Sequence, residues 1–172
     1  VMVESGTLVY LAYGLYLLWL LAGTGDFHLH RRTHLPVTSG VRESALHGAQ
    51  LACVGAGVLA WLSFVPNRLL GTVLVALAAV HVLLAYWDTA SADGVRRIAP
   101  VEQHVHSVLD ACPWVFAVGV LVMADAGWQW VWQPRALSVW IALVVPAGVL
   151  TVLPWLLEFA AAAKCRRMKM NL

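Results

Sequence analysis

Two eleven-residue stretches of this chain carry the same four residue types at the same positions: ESALHGAQLAC from Glu43 to Cys53, and EQHVHSVLDAC from Glu102 to Cys112. Each opens with Glu-x3-His and closes with Ala-Cys. Residues four apart on a helix stand nearly above one another, so Glu43 with His47, and Glu102 with His106, each present a joint face. Carboxylate and imidazole on one face make a donor set for a metal ion. An aspartate precedes each stretch, Asp26 after LLAGTG and Asp88 after LLAYW. Folded together, the two segments bring Asp26, Glu43, His47, Asp88, Glu102 and His106 into one layer. Ionisable groups gathered in that way need pairing, water or a metal to stabilise them.

The elements that must position these residues are apolar helices. Of 172 residues, 61% are hydrophobic and 12% charged, more apolar surface than a water-soluble domain of this length can hide. A bilayer crossing takes about 20 apolar residues as helix. Five stretches qualify: Thr7–Gly25, Ala45–Phe64, Leu69–Trp87, Val105–Ala124 and Ala136–Ala163. The reading is an all-α integral membrane protein, one transmembrane domain over 1–172 with five spans, the fifth (136–163) kinked by Pro146 and Pro154. The first apolar run lacks a basic leader and a small-residue cleavage site, so no cleavable signal peptide is expected. Trp128, Trp130 and Trp132 suit a headgroup layer. The formal net charge of +2 makes no case for a nucleic-acid partner. Cys53, Cys112 and Cys165 suggest neither a disulfide framework nor a zinc ribbon.

Nine lysines and arginines fall in the first loop, the third loop and the tail 164–172, against Arg68 and Arg135 on the other side. The positive-inside rule then places the amino terminus outside and the basic tail in the cytoplasm of a bacterial-type inner or plasma membrane. The first four spans read as two parallel-repeat hairpins forming a bundle, 7–64 and 69–124. Each has an aspartate, an arginine pair (Arg31 and Arg32; Arg96 and Arg97), a proline and the Glu-x3-His opening.

The ligand set resembles that of the four-helix di-iron carboxylate proteins, the ferritin-like class, in which two helices each give a carboxylate and two give a Glu-x2-His pair. Here the order is Asp26, Glu43 with His47, Asp88, Glu102 with His106, with Glu-x3-His in place of Glu-x2-His. It loosely resembles membrane di-iron hydroxylases and desaturases, whose His-rich clusters are missing here. Asp26-x3-His30 followed by Glu43 is similar to the Asp-x3-His-x12-His copper motif in the C subunit of particulate methane and ammonia monooxygenases. Glutamate in the last position moves preference towards iron, manganese or zinc. These resemblances imply two metal ions, iron first, with His30 as a further ligand.

Other residues take smaller roles in this reading. His81 lies on the Asp88 face about 10 Å deeper at helical rise, as an additional ligand or a packing histidine. Asp110 could hold the second ring nitrogen of His106, and Glu158 reaches either the same layer or the headgroups. Arg31, Arg32, Arg96 and Arg97 partner ligating carboxylates or an anionic headgroup; without a metal they would form a salt-bridged rim. His28, His34 and His104 are expected at the surface. Cys53 and Cys112 are expected as small packing residues, and Tyr10, Tyr13 and Tyr16 as packing and interface aromatics.

The functional expectation is a di-metal oxidoreductase or oxygenase open to the cytoplasm, acting on a hydrophobic or lipid-like substrate, with membrane lipid and a redox partner or larger membrane complex around it. Three alternatives stand beside it: a haem b electron-transfer or anchor subunit ligated through His47, His81 or His106, a metal or proton transporter, and a structural subunit of a complex.

Overall fold

The computed structural model describes residues 5–171; the amino terminus, assigned above to the outer side, and Leu172 lie outside the described residues. The chain is all-helical: α1 Ser5–Arg32, α2 Gly40–Ser63, α3 Arg68–Ala92, α4 Pro100–Met123, α5 Leu137–Ala147 and α6 Leu153–Met170. A 3-10 turn, Leu35–Val37, follows α1, and a π-helical turn, Gly148–Val152, joins α5 to α6. Helices α2, α3 and α4 and the continuous rod Leu137–Met170 are long and apolar enough to cross a membrane. At 28 residues, α1 is longer than α2, α3 or α4.

Local signals set the ends. Asn67 caps α3 by accepting from the Leu70 amide at 3.0 Å, and Pro100 occupies the first turn of α4, where no N–H is needed. The helix ends differ from the apolar runs in one consequential place. Thr7–Gly25 is the first apolar run, but α1 continues to Arg32. Its last two turns stay helical because Asp26 and His30, one turn apart, both face inward and find partners there. The tail from residue 164 likewise continues α6 to Met170, and Lys169 Nζ donates to the Val37 carbonyl at 3.1 Å.

The helices close into a ring. Helix α1 packs on α4, α4 on α3, α3 on α2 and α2 on α6, while α6 and the π-turn return to α1. The second hairpin, α3 with α4, is a directly packed pair; in the first, α6 stands between α1 and α2. Gly48 makes room for this: a Cβ there would collide with the Trp155 indole, whose Nε1 donates to the Ser44 carbonyl at 2.8 Å. In the second copy the same position is Ser107, and among the described residues α6 packs on α2 rather than on α4. The far end is tied by the loop 124–136, where Val65, Gln133 and Arg135 share backbone bonds with Val131, Ser63 and Leu62. Trp128, Trp130 and Trp132 stand exposed on it.

Proline placement explains why α1 is in the bundle at all. An interior proline has no N–H, so the carbonyl four residues earlier loses its donor. Pro113 and Pro146 therefore strip donors from Leu109 and Ala142, and the π-turn, in which the Leu153 N–H returns to Gly148, breaks the α-helical ladder around Leu150. All three carbonyls accept from α1: Trp19 Nε1 reaches Leu109 at 3.2 Å, Tyr13 OH reaches Ala142 at 3.3 Å, and Thr24 Oγ1 reaches Leu150 at 2.8 Å. Between them Tyr16 OH bonds the Leu143 carbonyl at 2.5 Å, and Tyr16, Trp19, Leu20 and Cys112 form the buried core. The interruption expected from Pro146 and Pro154 takes the form of the π-turn between them.

Thr24→Val keeps the side-chain shape and deletes one donor, so it should cost about 1 kcal/mol, measured by unfolding in mixed detergent.

Candidate metal centre

All the acids and histidines flagged by spacing, except the His81 and Asp110 pair, gather at the end of the bundle that carries the arginine loops. Asp26 and His30 come from the last turns of α1, Glu43 and His47 from the start of α2, Asp88 from the end of α3, and Glu102 and His106 from the start of α4. Glu158 of α6 completes the layer.

The pairing crosses between the two halves. Asp26 Oδ1 lies 3.0 Å from His106 Nε2, and Asp88 Oδ2 lies 2.9 Å from His47 Nε2. Each aspartate thus meets the histidine of the other copy. The two glutamates meet in the middle on one guanidinium. Arg96 Nε donates to both Glu43 oxygens at 3.1 Å, Nη1 donates to Glu102 Oε2 at 3.1 Å, and Nη2 reaches both residues. Its side chain is 3% exposed. Burial works against the Arg96 charge, but Glu43 and Glu102 outweigh it and push its pKa up, so the group stays cationic.

His30 sits on the other side of the glutamates and is fully buried. Its Nδ1 is 2.9 Å from Glu158 Oε2. Its Nε2 faces Asp26 Oδ2 at 3.4 Å, Glu102 Oε1 at 3.6 Å and Glu43 Oε1 at 3.8 Å, and bonds none of them. Two donors held at about 2.1 Å by one tetrahedral ion stand roughly 3.4 Å apart, so this spacing suits a shared cation better than direct hydrogen bonds. The His47 ring stacks on His30 at 4.6 Å and 3°, with Phe27 edge-on to both, and its Nδ1 is 3.2 Å from Glu158 Oε1. His47 Nε2 and Asp88 Oδ1 lack hydrogen bonds, the first despite its closeness to Asp88 Oδ2, while Gln50 Nε2 donates to that oxygen at 3.4 Å. Ligand atoms of two groups converge within metal-binding reach: Asp26, His30, Glu102 and His106, and also His30, Glu43 and His47.

The remaining expected residues are placed as follows. Glu158 turns into the layer and bridges His30 and His47. Asp110 stands 3.5 Å from His81, and among the described residues no hydrogen bond joins it to His106, whose one side-chain partner is Asp26. Of the four arginines, Arg96 enters the site, whereas Arg31, Arg32 and Arg97 are exposed, as are His28, His34 and His104. Sequence reasoning gave His30 a secondary place, yet Asp26-x3-His30 repeats the spacing of the two Glu-x3-His pairs and carried the signal. Nothing in the sequence separated Arg96 from Arg97, and Gln50 had no signal.

Compared with known proteins, the chain matches no family model, no curated protein and no solved structure.

Arg96→Ala leaves two buried glutamates facing each other without their cation. It should destabilise the metal-free protein by about 3–5 kcal/mol in equilibrium unfolding. Arg97→Ala, at an exposed position, should stay within roughly 0.5 kcal/mol.

Proposed function

We propose that the chain is an integral membrane metalloprotein with five spans, its basic loops and carboxyl terminus cytoplasmic, and that its acid and histidine layer holds two metal ions. The observation that carries this reading is a charge imbalance. Five carboxylates, Asp26, Glu43, Asp88, Glu102 and Glu158, are buried together with one fixed cation, Arg96. Ionised, they leave an excess of four negative charges. Protonating His30, His47 and His106 together still leaves one. Two divalent ions match the excess of four with all three histidines neutral and free to ligate.

The first ion draws on Asp26, His30, Glu102 and His106, and the second on Glu43 and His47 beside the shared His30, with Asp88 against the His47 ring nitrogen. A carboxylate offers about four lone-pair positions, so Glu43 and Glu102 can serve Arg96 and a metal at once. Arg96 and Glu158 then act as the outer partners that orient ligands, Glu158 fixing the ring nitrogens that face away from the ions. A carboxylate-rich set with few histidines favours iron, manganese or zinc over copper. With iron, the centre serves oxidoreductase chemistry with dioxygen on a hydrophobic substrate that arrives among the apolar helices.

The reading is tested by metal analysis and visible spectroscopy on protein purified in detergent without chelators. Wild type should carry about two iron-class ions per chain. His30→Ala and Asp26→Asn should lower metal affinity by at least about tenfold, while the surface variants His28→Ala and His104→Ala keep it. A metal-free wild type would return the layer to an ionic network around Arg96, and a Soret band would replace the di-metal reading with haem b.

A further inference from the structure

A second polar site lies deeper in the bundle and takes no part in the metal layer. His81 of α3 is 3% exposed, and neither of its ring nitrogens has a hydrogen-bond partner. A buried imidazole with an idle N–H and an idle lone pair is costly, and native structures rarely leave one so. The one acidic group beside it is Asp110 of α4, whose Oδ1 is 3.5 Å from His81 Nε2, too far for a good hydrogen bond. The Asp110 side chain is 37% exposed on the outer side of the bundle. Among the described residues no lysine or arginine pairs with it.

Depth decides what this means. Asp110 is ten residues into α4, about 15 Å along its axis. Counted from Val105, where the apolar run of this span starts, it lies about 7–8 Å into a hydrocarbon layer roughly 30 Å thick. Lipid tails cannot solvate a part-exposed carboxylate there, so its polar partner has to come from outside the chain. Whatever reaches it laterally must be mostly apolar, with a compact polar head. A hydroxyl beside the pair can join them: its oxygen accepts from the His81 N–H while its hydrogen is donated to the Asp110 carboxylate.

We propose that His81 and Asp110 form the head-group site for a lipid-soluble hydroxyl compound bound at the outer seam of α3 and α4. The site depends on the bilayer reading above and is independent of metal occupancy. The shared chemistry is a hydroxyl on an apolar body, and either a quinol-type ring or a simple lipid alcohol supplies it.

The test uses the full chain in lipid nanodiscs and infrared difference spectroscopy, with decylhydroquinone and n-dodecanol as separate probes. Saturable perturbation of a carboxylate band, lost in Asp110→Asn and shifted to at least about tenfold higher probe concentration in His81→Leu, is the expected result. Response to the hydroquinone alone identifies a ring diol, and response to both identifies a simple alcohol. Helix content and metal content of the two variants should equal wild type, which separates loss of the site from loss of the fold or the metal layer. The same responses in a metal-free wild type would keep this site while removing the di-metal reading. No saturable response to either probe in wild type, or equal responses in wild type and Asp110→Asn, would overturn the proposal. Recovery of the chain in detergent-free aqueous solution would remove it together with the bilayer reading.

Discussion

Five carboxylates buried around one guanidinium are the constraint on which the rest of the molecule depends. Their mutual repulsion in a low-dielectric interior would drive the helix ends apart unless positive charge is held among them. Arg96 supplies part of it and joins Glu43 to Glu102, so that the starts of α2 and α4 meet through a residue of the loop between α3 and α4. The aspartates complete the closure by reaching across the pseudo-repeat, Asp26 to His106 and Asp88 to His47. Each half therefore lacks a complete set by itself, and the layer exists only when both are assembled.

Helix α1 links this polar layer to the apolar body. One end delivers Asp26 and His30 to the charge cluster, and its middle delivers Tyr13, Trp19 and Thr24 to carbonyls where prolines and the π-turn break the helical ladder. The same division of labour places α6: Gly48 admits Trp155, and that seating carries Glu158 to the two stacked histidines. Polar satisfaction by neighbouring helices, rather than by solvent, is the pattern required where water is scarce. The unpartnered ring of His81 is the exception that stands out against it.

Much of the candidate site was legible in the sequence, because a four-residue spacing of acid and histidine states which groups share a helical face regardless of how the helices pack. The six positions taken from the duplicated pattern all reach the layer. What the spacing could not show was where a helix outlasts its apolar run. Counting hydropathy stopped the first span at Gly25, which placed His30 near a loop, whereas inward-facing partners keep α1 helical to Arg32. Glu158 stayed ambiguous because depth along one helix does not fix the direction of a side chain. The donors to the carbonyls at the prolines and the π-turn needed the ring order of the helices, and a linear pattern does not contain it. The paired motif was visible, but the glycine that lets α6 part α1 from α2 was one small residue among many.

The central claim is that bound cations balance the buried acids, and X-ray absorption at the iron edge of the purified wild-type protein tests it most directly. The account predicts a first shell of nitrogen and oxygen only, together with scattering from a second metal at about 3.5–4 Å. Background-level edges for iron, manganese and zinc alike, with the protein folded and the Arg96 cluster intact, would contradict it.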